Sequence, residues 1–115
     1  MLIPKDAIIA VEKVRDYLLK PLEIDDKSGF LEIGGYTREN YQRLLQDIRK
    51  LLPGEGRFQM YTTFGDRFEL DGIRQGPSGE SLFVTTIWQC SPRGTWRFIT
   101  LFPNTEAFYK EAMEV

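Results

Sequence analysis

Hydrophobic positions recur with two different periods along the chain, and they divide it into a helical first half and a strand-rich second half. Between Lys5 and Leu19, apolar residues at three- and four-residue steps predict a first helix, which Pro21 ends. Its first turn is open to an extended form, because two consecutive isoleucines interrupt the period. Residues 22–35 follow no sustained period, so we expect a loop there, with a short helical or extended piece near residues 30–33.

The second predicted helix carries the clearest apolar stripe of the sequence. The stripe runs from Tyr41 to Leu52, with Thr37 as the expected N-cap and Pro53-Gly54 as the stop. The basic residues on its other side fit either a solvated helix face or a contact with nucleic acid. We favour the solvated face, because the chain as a whole is acidic.

Aromatic and β-branched residues dominate the second half and predict four strands, over residues 57–64, 67–75, 80–90 and 95–102. Gly65-Asp66 suits a tight two-residue turn between the first two strands. The next two turns, residues 76–79 and 91–94, share one pattern. In each, a proline presets the first central φ, and a glycine two residues later takes the left-handed conformation. Such turns join antiparallel neighbours, so the strands should form a meander.

Together these elements predict one α+β domain over residues 1–115. Two N-terminal helices should pack on the four-stranded antiparallel meander. After Pro103, either Asn104 or Thr105 can cap a short C-terminal helix.

The two proline turns also predict a register. In the second hairpin, this register places Phe68 opposite Trp88. In the third, it places Phe98 opposite Trp88, and it places Thr86 opposite Thr100. One face of the sheet is then almost continuously apolar and should form the core, with these members: Phe68, Leu70, Leu82, Val84, Thr86, Trp88, Trp96, Phe98, Thr100 and Phe102.

The opposite face of the predicted sheet mixes charge with apolar groups. A one-residue slip would exchange the two faces, and the turn chemistry leaves the side chains of the first strand unassigned. Ordinary cross-strand salt bridging on a solvated face is one interpretation of this surface, and a binding site is the other. The candidate binding residues are Arg67, Glu69, Asp71, Gln89 and Arg97, set among Ile73, Phe83, Thr85, Ile87, Ile99 and Leu101.

Composition excludes several classes of function. The net charge of −2 and pI of about 5.2 do not support general attraction to nucleic acid or to anionic membranes. The chain has no histidine, which removes the usual general base and the commonest zinc ligand. Glu69 and Asp71 could share a proton or bind a metal, but neutralisation by Arg67 is simpler, so we expect neither a metal nor a cofactor. The lone Cys90 and the absence of a signal peptide or membrane-spanning run indicate a cytoplasmic location.

Motifs along residues 17–103 resemble a bacterial domain family of unknown function. The motifs are Tyr17-Leu18-Leu19, Asp26-Lys27 before Phe30, Gly35-Tyr36-Thr37, Phe64-Gly65, Asp71-Gly72, Gly76-Pro77-Ser78-Gly79, Val84-Thr85-Thr86-Ile87-Trp88 and Phe98-Ile99-Thr100-Leu101-Phe102-Pro103. The resemblance implies a small α+β domain. At the level of fold, two helices followed by an antiparallel meander also resemble the nuclease toxins typified by barnase, EndoU, colicin and RelE-like proteins.

The same resemblance bears on catalysis. Many members of the family carry a histidine between the leucine pair and the lysine, and this chain retains only the lysine, Lys27. Some RelE-like ribonucleases work through lysine and arginine, which implies Lys27, Arg67 and Arg97 as the residues to consider. Thr100 matches the family's threonine, but the predicted register assigns it to the core face, where packing is the simpler role.

Two functional hypotheses follow. The first is a non-catalytic binding or regulatory domain, which engages a protein partner or a second copy through the amphipathic face. The second is a metal-independent, toxin-like ribonuclease, in which Lys27, Arg67 and Arg97 stabilise the transition state and Glu69 acts as base. RNA is a partner only under the second hypothesis. The first is preferred, because histidine is absent and the chain is acidic.

Overall fold

The computed structural model describes residues 1–24, 26–73 and 75–104, and it has an α+β architecture. The helical elements are a π-helical segment (Lys13–Leu18), α1 (Ser28–Ile33) and α2 (Tyr41–Arg49); the strands are β1 (Leu2–Ile3), β2 (Gly54–Glu55), β3 (Arg57–Thr62), β4 (Gly65–Gly72), β5 (Val84–Cys90) and β6 (Trp96–Pro103). A four-stranded antiparallel sheet has the order β3-β4-β5-β6, and a two-stranded sheet pairs β1 with β2. The predicted C-terminal helix lies outside the described residues.

The meander and both of its proline turns are confirmed. Gly79 and Gly94 have φ values of 88° and 86°, the left-handed conformation that the turn pattern predicts. The Gly79 N–H donates to Gly76 O at 3.0 Å, and the Gly94 N–H donates to Ser91 O at 2.8 Å, closing each turn.

The first hairpin differs from its prediction. The two residues of the turn are Thr63 and Phe64, because Thr62 pairs with Gly65 across the hairpin. Gly65 is therefore the first residue of β4, with φ of 143°, and a Cβ atom there would lie 2.1 Å from Cys90 O. The glycine is needed for this close approach to β5, a requirement that the local turn pattern does not reveal.

The first predicted helix is much shorter than expected. Residues 11 and 12 are helical and the π-helical segment follows from Lys13, whereas Ile8 is extended against the outer edge of β6. The Ile8 N–H donates to Trp96 O at 2.9 Å, and the Phe98 N–H donates to Ile8 O at 2.8 Å. Ile8 is extended rather than helical because the edge of β6 offers unpaired backbone groups, and because a β-branched residue suits the extended conformation.

Residues 22–35 contain α1 where a loop was the main expectation, and the short helical piece expected near residues 30–33 belongs to it. Leu31 of α1 is fully buried. The next helix, α2, begins at Tyr41 rather than directly after Thr37. Thr37 and Asn40 exchange hydrogen bonds, each side chain accepting the other's backbone N–H, at 2.7 and 3.3 Å. This pair closes a turn before the helix, so Thr37 stands outside it.

The core lies between one face of the sheet and the helices. We call this side of the sheet the core face. Trp88 is fully buried at its centre, in edge-to-face contact with Phe98, with ring centroids 5.4 Å apart. The predicted pairings of Phe68 with Trp88 and of Trp88 with Phe98 are confirmed. The buried cluster that includes this face and its covering segments contains Val14, Leu18, Leu31, Leu44, Ile48, Phe68, Leu82, Val84, Trp88, Phe98 and Leu101.

A bulge in β6 overturns the last part of the predicted register. Trp88 pairs with Phe98, but Ile87 pairs with Thr100, so Ile99 is an extra residue. Thr86 consequently faces Leu101 rather than Thr100. The predicted placements of Leu101 on the outer face and of Thr100 and Phe102 on the core face are therefore wrong. One inserted residue reverses the direction of every side chain that follows it in the strand.

Candidate functional site

The sheet surface opposite the core, which we call the second face, collects the polar side chains in rows across the strands. Antiparallel partners share a face, so the register defines the rows. The first row is Met60, Arg67, Gln89 and Arg97; the second is Arg57, Glu69, Ile87 and Thr100; the third is Asp71, Thr85 and Phe102. All five candidate binding residues thus lie on one surface.

Asp71 is held by the most extensive polar contacts on the second face. Arg57 binds its two carboxylate oxygens at 3.0 and 3.1 Å, and Thr85 Oγ1 donates to it at 2.9 Å. Partial burial acts to raise the pKa of the Asp71 carboxyl, but the hydrogen bonds from Arg57 and Thr85 and the charge of Arg57 outweigh it. The net effect is a pKa below the usual value.

Replacing Asp71 with asparagine should therefore flatten the pH dependence of stability. Because its folded-state pKa is lowered, Asp71 stabilises the fold above its ordinary pKa, and this contribution is lost as pH falls through the folded-state pKa. At a pH near 6, the free energy of unfolding of the wild type should exceed that of Asp71→Asn by less than about 1 kcal/mol, because the Arg57–Asp71 ion pair is solvent-exposed. This difference in stability should disappear below about pH 4. Urea unfolding across this range measures it; a gap that widens toward acid would contradict the assignment.

Glu69 contacts the same arginine as Asp71, but more weakly. Its Oε1 lies 3.8 Å from Arg57 Nη2, and its side chain is 29% exposed. Among the described residues, neither Glu69 nor Asp71 forms a salt bridge with Arg67. The prediction that Arg67 neutralises these carboxylates is therefore wrong. Arg57 takes that role, because it lies on β3 directly opposite Glu69 of β4.

Arg67 and Arg97 flank Gln89 in the first row. Arg67 Nε donates to Gln89 Oε1 at 3.2 Å, and this hydrogen bond orients the Arg67 guanidinium along the first row. Arg97 is exposed, and the pairing of Ile8 with the backbone on both sides of it fixes its position. In the parts of the chain that the structure describes, neither arginine forms a salt bridge.

Lys27 approaches the second face at β6. Its Nζ donates to Thr100 Oγ1 at 2.8 Å and lies 5.8 Å from the centre of the Tyr17 ring. Thr100 shares a row with Glu69 two strands away, so about 10 Å separates the backbones of these two residues. The structure thus brings Lys27 to the surface that carries the other candidates, and the β6 bulge makes this possible.

Sequence reasoning missed Arg57 and Met60 as members of this surface. Both lie on β3, where a second bulge separates Phe58 from Met60. Because of this bulge, Phe58 and Tyr61 lie on the core-face side and Met60 on the second face. The alternation of the sequence could not assign these sides, because a bulge breaks the two-residue period.

Two cavities lie away from the candidate residues. One, of about 200 Å³, is lined by Phe30, Ile33, Ser81, Leu82, Phe83, Pro103 and Asn104. The other, of about 210 Å³, is lined by Leu19, Pro21, Ser28, Glu32, Tyr36, Thr37, Arg38 and Glu39. Neither includes Lys27, Arg67, Glu69 or Arg97, so these four residues do not line either concave site.

Other chemistry has little support in the described residues. No group of three or more acidic or cysteine side chains is placed to hold a metal ion within residues 1–24, 26–73 and 75–104. Burial, followed by the nearby Asp66 charge, raises the pKa of the Cys90 thiol, which disfavours the reactive thiolate. No helix in the described ranges is both long and apolar enough to cross a membrane.

These features define a small α+β domain built on an antiparallel meander. The chain belongs to the family described as a domain of unknown function (DUF6883), which matches it over residues 4–105. No curated protein matches the chain. Among solved structures, it is similar to a chain of the contact-dependent growth inhibition toxin–immunity protein complex from Klebsiella pneumoniae 342, with a TM-score of 0.62 and 19% identity over 85% of this chain and 93% of that chain. This likeness shows a shared fold, in line with the resemblance to toxin folds.

Proposed function

We propose that this domain binds a protein partner through the second face of its sheet. The observation that carries the proposal is the form of that surface. The candidate side chains lie in neighbouring rows of the sheet and do not line either of the cavities described above. Small-molecule sites are concave, whereas a sheet face that presents arginine beside an exposed methionine, as in the row of Arg67 and Met60, is typical of protein interfaces.

The similar solved structure supports the same reading. The chain to which this fold is similar was solved in a complex of a toxin and an immunity protein. A protein partner is therefore compatible with this architecture. The ion pair between Arg57 and Asp71 adds a fixed polar feature at one side of the surface, which favours recognition of a defined partner shape.

The affinity for the partner should depend on residues of the second face and not on residues of α2. We expect Arg67→Ala/Arg97→Ala to weaken binding of a copurified, identified partner about tenfold, because two charged contacts are lost. Arg43→Ala/Lys50→Ala is the matched control: it removes the same charge from α2, and we expect a change below about twofold. Calorimetric titration of the purified partner measures both. Equal affinity of the two double variants would contradict the proposal, as would a strictly monomeric domain that yields no partner.

A second candidate function is metal-independent ribonuclease activity, and one contact favours it. Lys27 and Thr100 come from distant parts of the chain and meet on the surface that also carries Arg67, Glu69 and Arg97. An ammonium group beside a hydroxyl is suited to stabilising the charge that develops on a phosphate during in-line attack. Glu69 would then be the candidate base.

The ribonuclease hypothesis makes a sharp kinetic prediction. Cleavage of total RNA should persist in EDTA and should fall at least about a hundredfold in Lys27→Ala, because the transition-state charge loses its stabilising cation. Lys20→Ala removes an exposed lysine nearby in the sequence and should leave the rate unchanged. No cleavage by the wild type, or equal loss in both variants, would exclude the site.

A further inference from the structure

We infer that the protein partner of the second face is acidic, and that its carboxylates dock on Arg67 and Arg97 while its apolar groups cover the exposed edge of β3. This inference rests on the proposed function and adds the chemistry of the partner. It commits to one occupant, an acidic protein surface, on the basis of charge complementarity.

The charge pattern of the second face is locally uncompensated. Arg57 is matched by Asp71 and Glu69, whereas Arg67 and Arg97 form no salt bridge within residues 1–24, 26–73 and 75–104. The two arginines lie two strands apart, a separation of about 10 Å across the sheet. Guanidinium groups bind carboxylates through paired hydrogen bonds, so this row presents two carboxylate-binding positions. The net charge of −2 makes such a positive row a local feature and not a general one.

Exposed apolar side chains lie along the β3 edge of the sheet, with Met60 on the second face and Phe58 and Tyr61 on the core-face side. Met60, in the same row as Arg67, is 46% exposed, and the neighbouring Tyr61 and Phe64 are 77% and 74% exposed. Phe58, 50% exposed, contacts Tyr61 in a tilted arrangement with ring centroids 4.6 Å apart. Arginine, methionine and aromatic residues are the types enriched in interface cores. Ile8 pairs with the opposite edge of the sheet, at β6, whereas no strand among the described residues pairs with the outer edge of β3.

The β3 bulge argues against a second copy as the occupant of this edge. A two-fold axis perpendicular to the sheet pairs residues of equal parity, so self-pairing centred on β3 would set Phe58 against Met60 or Thr62. Phe58 lies on the core-face side, whereas Met60 and Thr62 lie on the second face, so neither register gives Phe58 a partner on its own face. Face-to-face self-association would instead bring the like-charged arginine rows together. A different, acidic chain avoids both conflicts.

The test uses the intact domain and a defined probe. A labelled random copolymer of glutamate and tyrosine should bind, although the domain carries a net negative charge, and a lysine–tyrosine copolymer of the same length should bind at least about tenfold more weakly. Arg67→Ala/Arg97→Ala should weaken glutamate–tyrosine binding about tenfold, and Arg43→Ala/Lys50→Ala should change it less than about twofold. Tyr61→Ser, at a side chain that is 77% exposed, should weaken it about threefold. Fluorescence anisotropy measures each affinity.

Several results would overturn the inference. The first is that the domain does not bind the glutamate–tyrosine copolymer. The second is that the two double variants lose affinity for it equally, and the third is that Tyr61→Ser has no effect. Tighter binding of polyuridylate at the same arginines would assign the row to nucleic acid. Concentration-dependent dimerisation abolished by Arg67→Ala/Arg97→Ala would assign it to a second copy. If the copolymer test fails but a copurified partner still binds through the arginines, the acidic chemistry of the partner is rejected and the proposed function stands. If both tests fail, the inference and the proposed function are rejected together.

Discussion

Truncation of Trp88 to alanine should lower the free energy of unfolding by about 3–5 kcal/mol. Trp88 is fully buried and contacts Phe98 edge to face at 5.4 Å between ring centroids. Its indole Nε1–H donates to the buried Thr86 Oγ1 at 2.8 Å, and that hydroxyl donates to Leu70 O at 2.6 Å. Alanine removes the largest side chain of the core and leaves a cavity beneath β5, the strand that carries Gln89 and Ile87 on its other face.

Urea unfolding followed by circular dichroism measures the effect of Trp88→Ala. Thr86→Val isolates the hydrogen-bonding part: it keeps the volume but removes the acceptor of the buried indole, and we expect a loss of about 1–3 kcal/mol. Tyr61→Ala, at a side chain that is 77% exposed, should change stability by less than about 0.5 kcal/mol. A loss below about 1 kcal/mol for Trp88→Ala would contradict the assignment of Trp88 to the centre of the core.

Replacing Gly65 with alanine should cost at least about 2 kcal/mol, for two separate reasons. The residue has a backbone φ of 143°, which L-residues other than glycine rarely adopt. A Cβ atom would also lie 2.1 Å from Cys90 O, and this oxygen belongs to the backbone of β5, so it can move only with its strand. The substitution therefore strains the chain at Gly65 and separates β4 from β5.

Two other glycines provide matched controls for Gly65→Ala. Gly79 also has positive φ, 88°, but its Cβ position is open, so Gly79→Ala should cost about 1 kcal/mol from backbone strain alone. Gly29 lies in α1 with an open Cβ position and no unusual φ, so Gly29→Ala should be neutral or stabilising by up to about 1 kcal/mol. Thermal and urea unfolding of the three variants measure this order. A Gly65→Ala cost no greater than that of Gly79→Ala would contradict the close packing of β4 on β5.

Local chemistry explains why much of the sheet could be predicted. Proline and glycine occupy the turns at residues 76–79 and 91–94, and each turn imposes the pairing of the residues next to it. Alternation then extends the register along regular strand, which is why the opposition of Phe68, Trp88 and Phe98 is confirmed. The row of Arg67, Gln89 and Arg97 lies close to the second of these turns, so its alignment could also be predicted.

Tertiary contacts explain why the rest could not be predicted. The bulge at Ile99 carries no local sequence signature, yet it moves Thr100 to the second face and Leu101 to the core. Arg57 lies beyond the first turn, whose position depends on a long-range approach of Gly65 to Cys90. The reach of Lys27 to Thr100 joins residues distant in sequence, and no local period encodes it.

Site-specific photo-crosslinking tests most directly whether the second face binds the partner. A photoreactive phenylalanine analogue is placed at position 67 or, in a separate variant, at position 43 on α2, and each complex with the copurified partner is irradiated and sequenced by mass spectrometry. We expect a crosslink from position 67 to an identified segment of the partner and none from position 43, since α2 packs in the buried cluster on the core face. Crosslinking from position 43 alone, with the partner bound in both variants, would contradict binding through the second face.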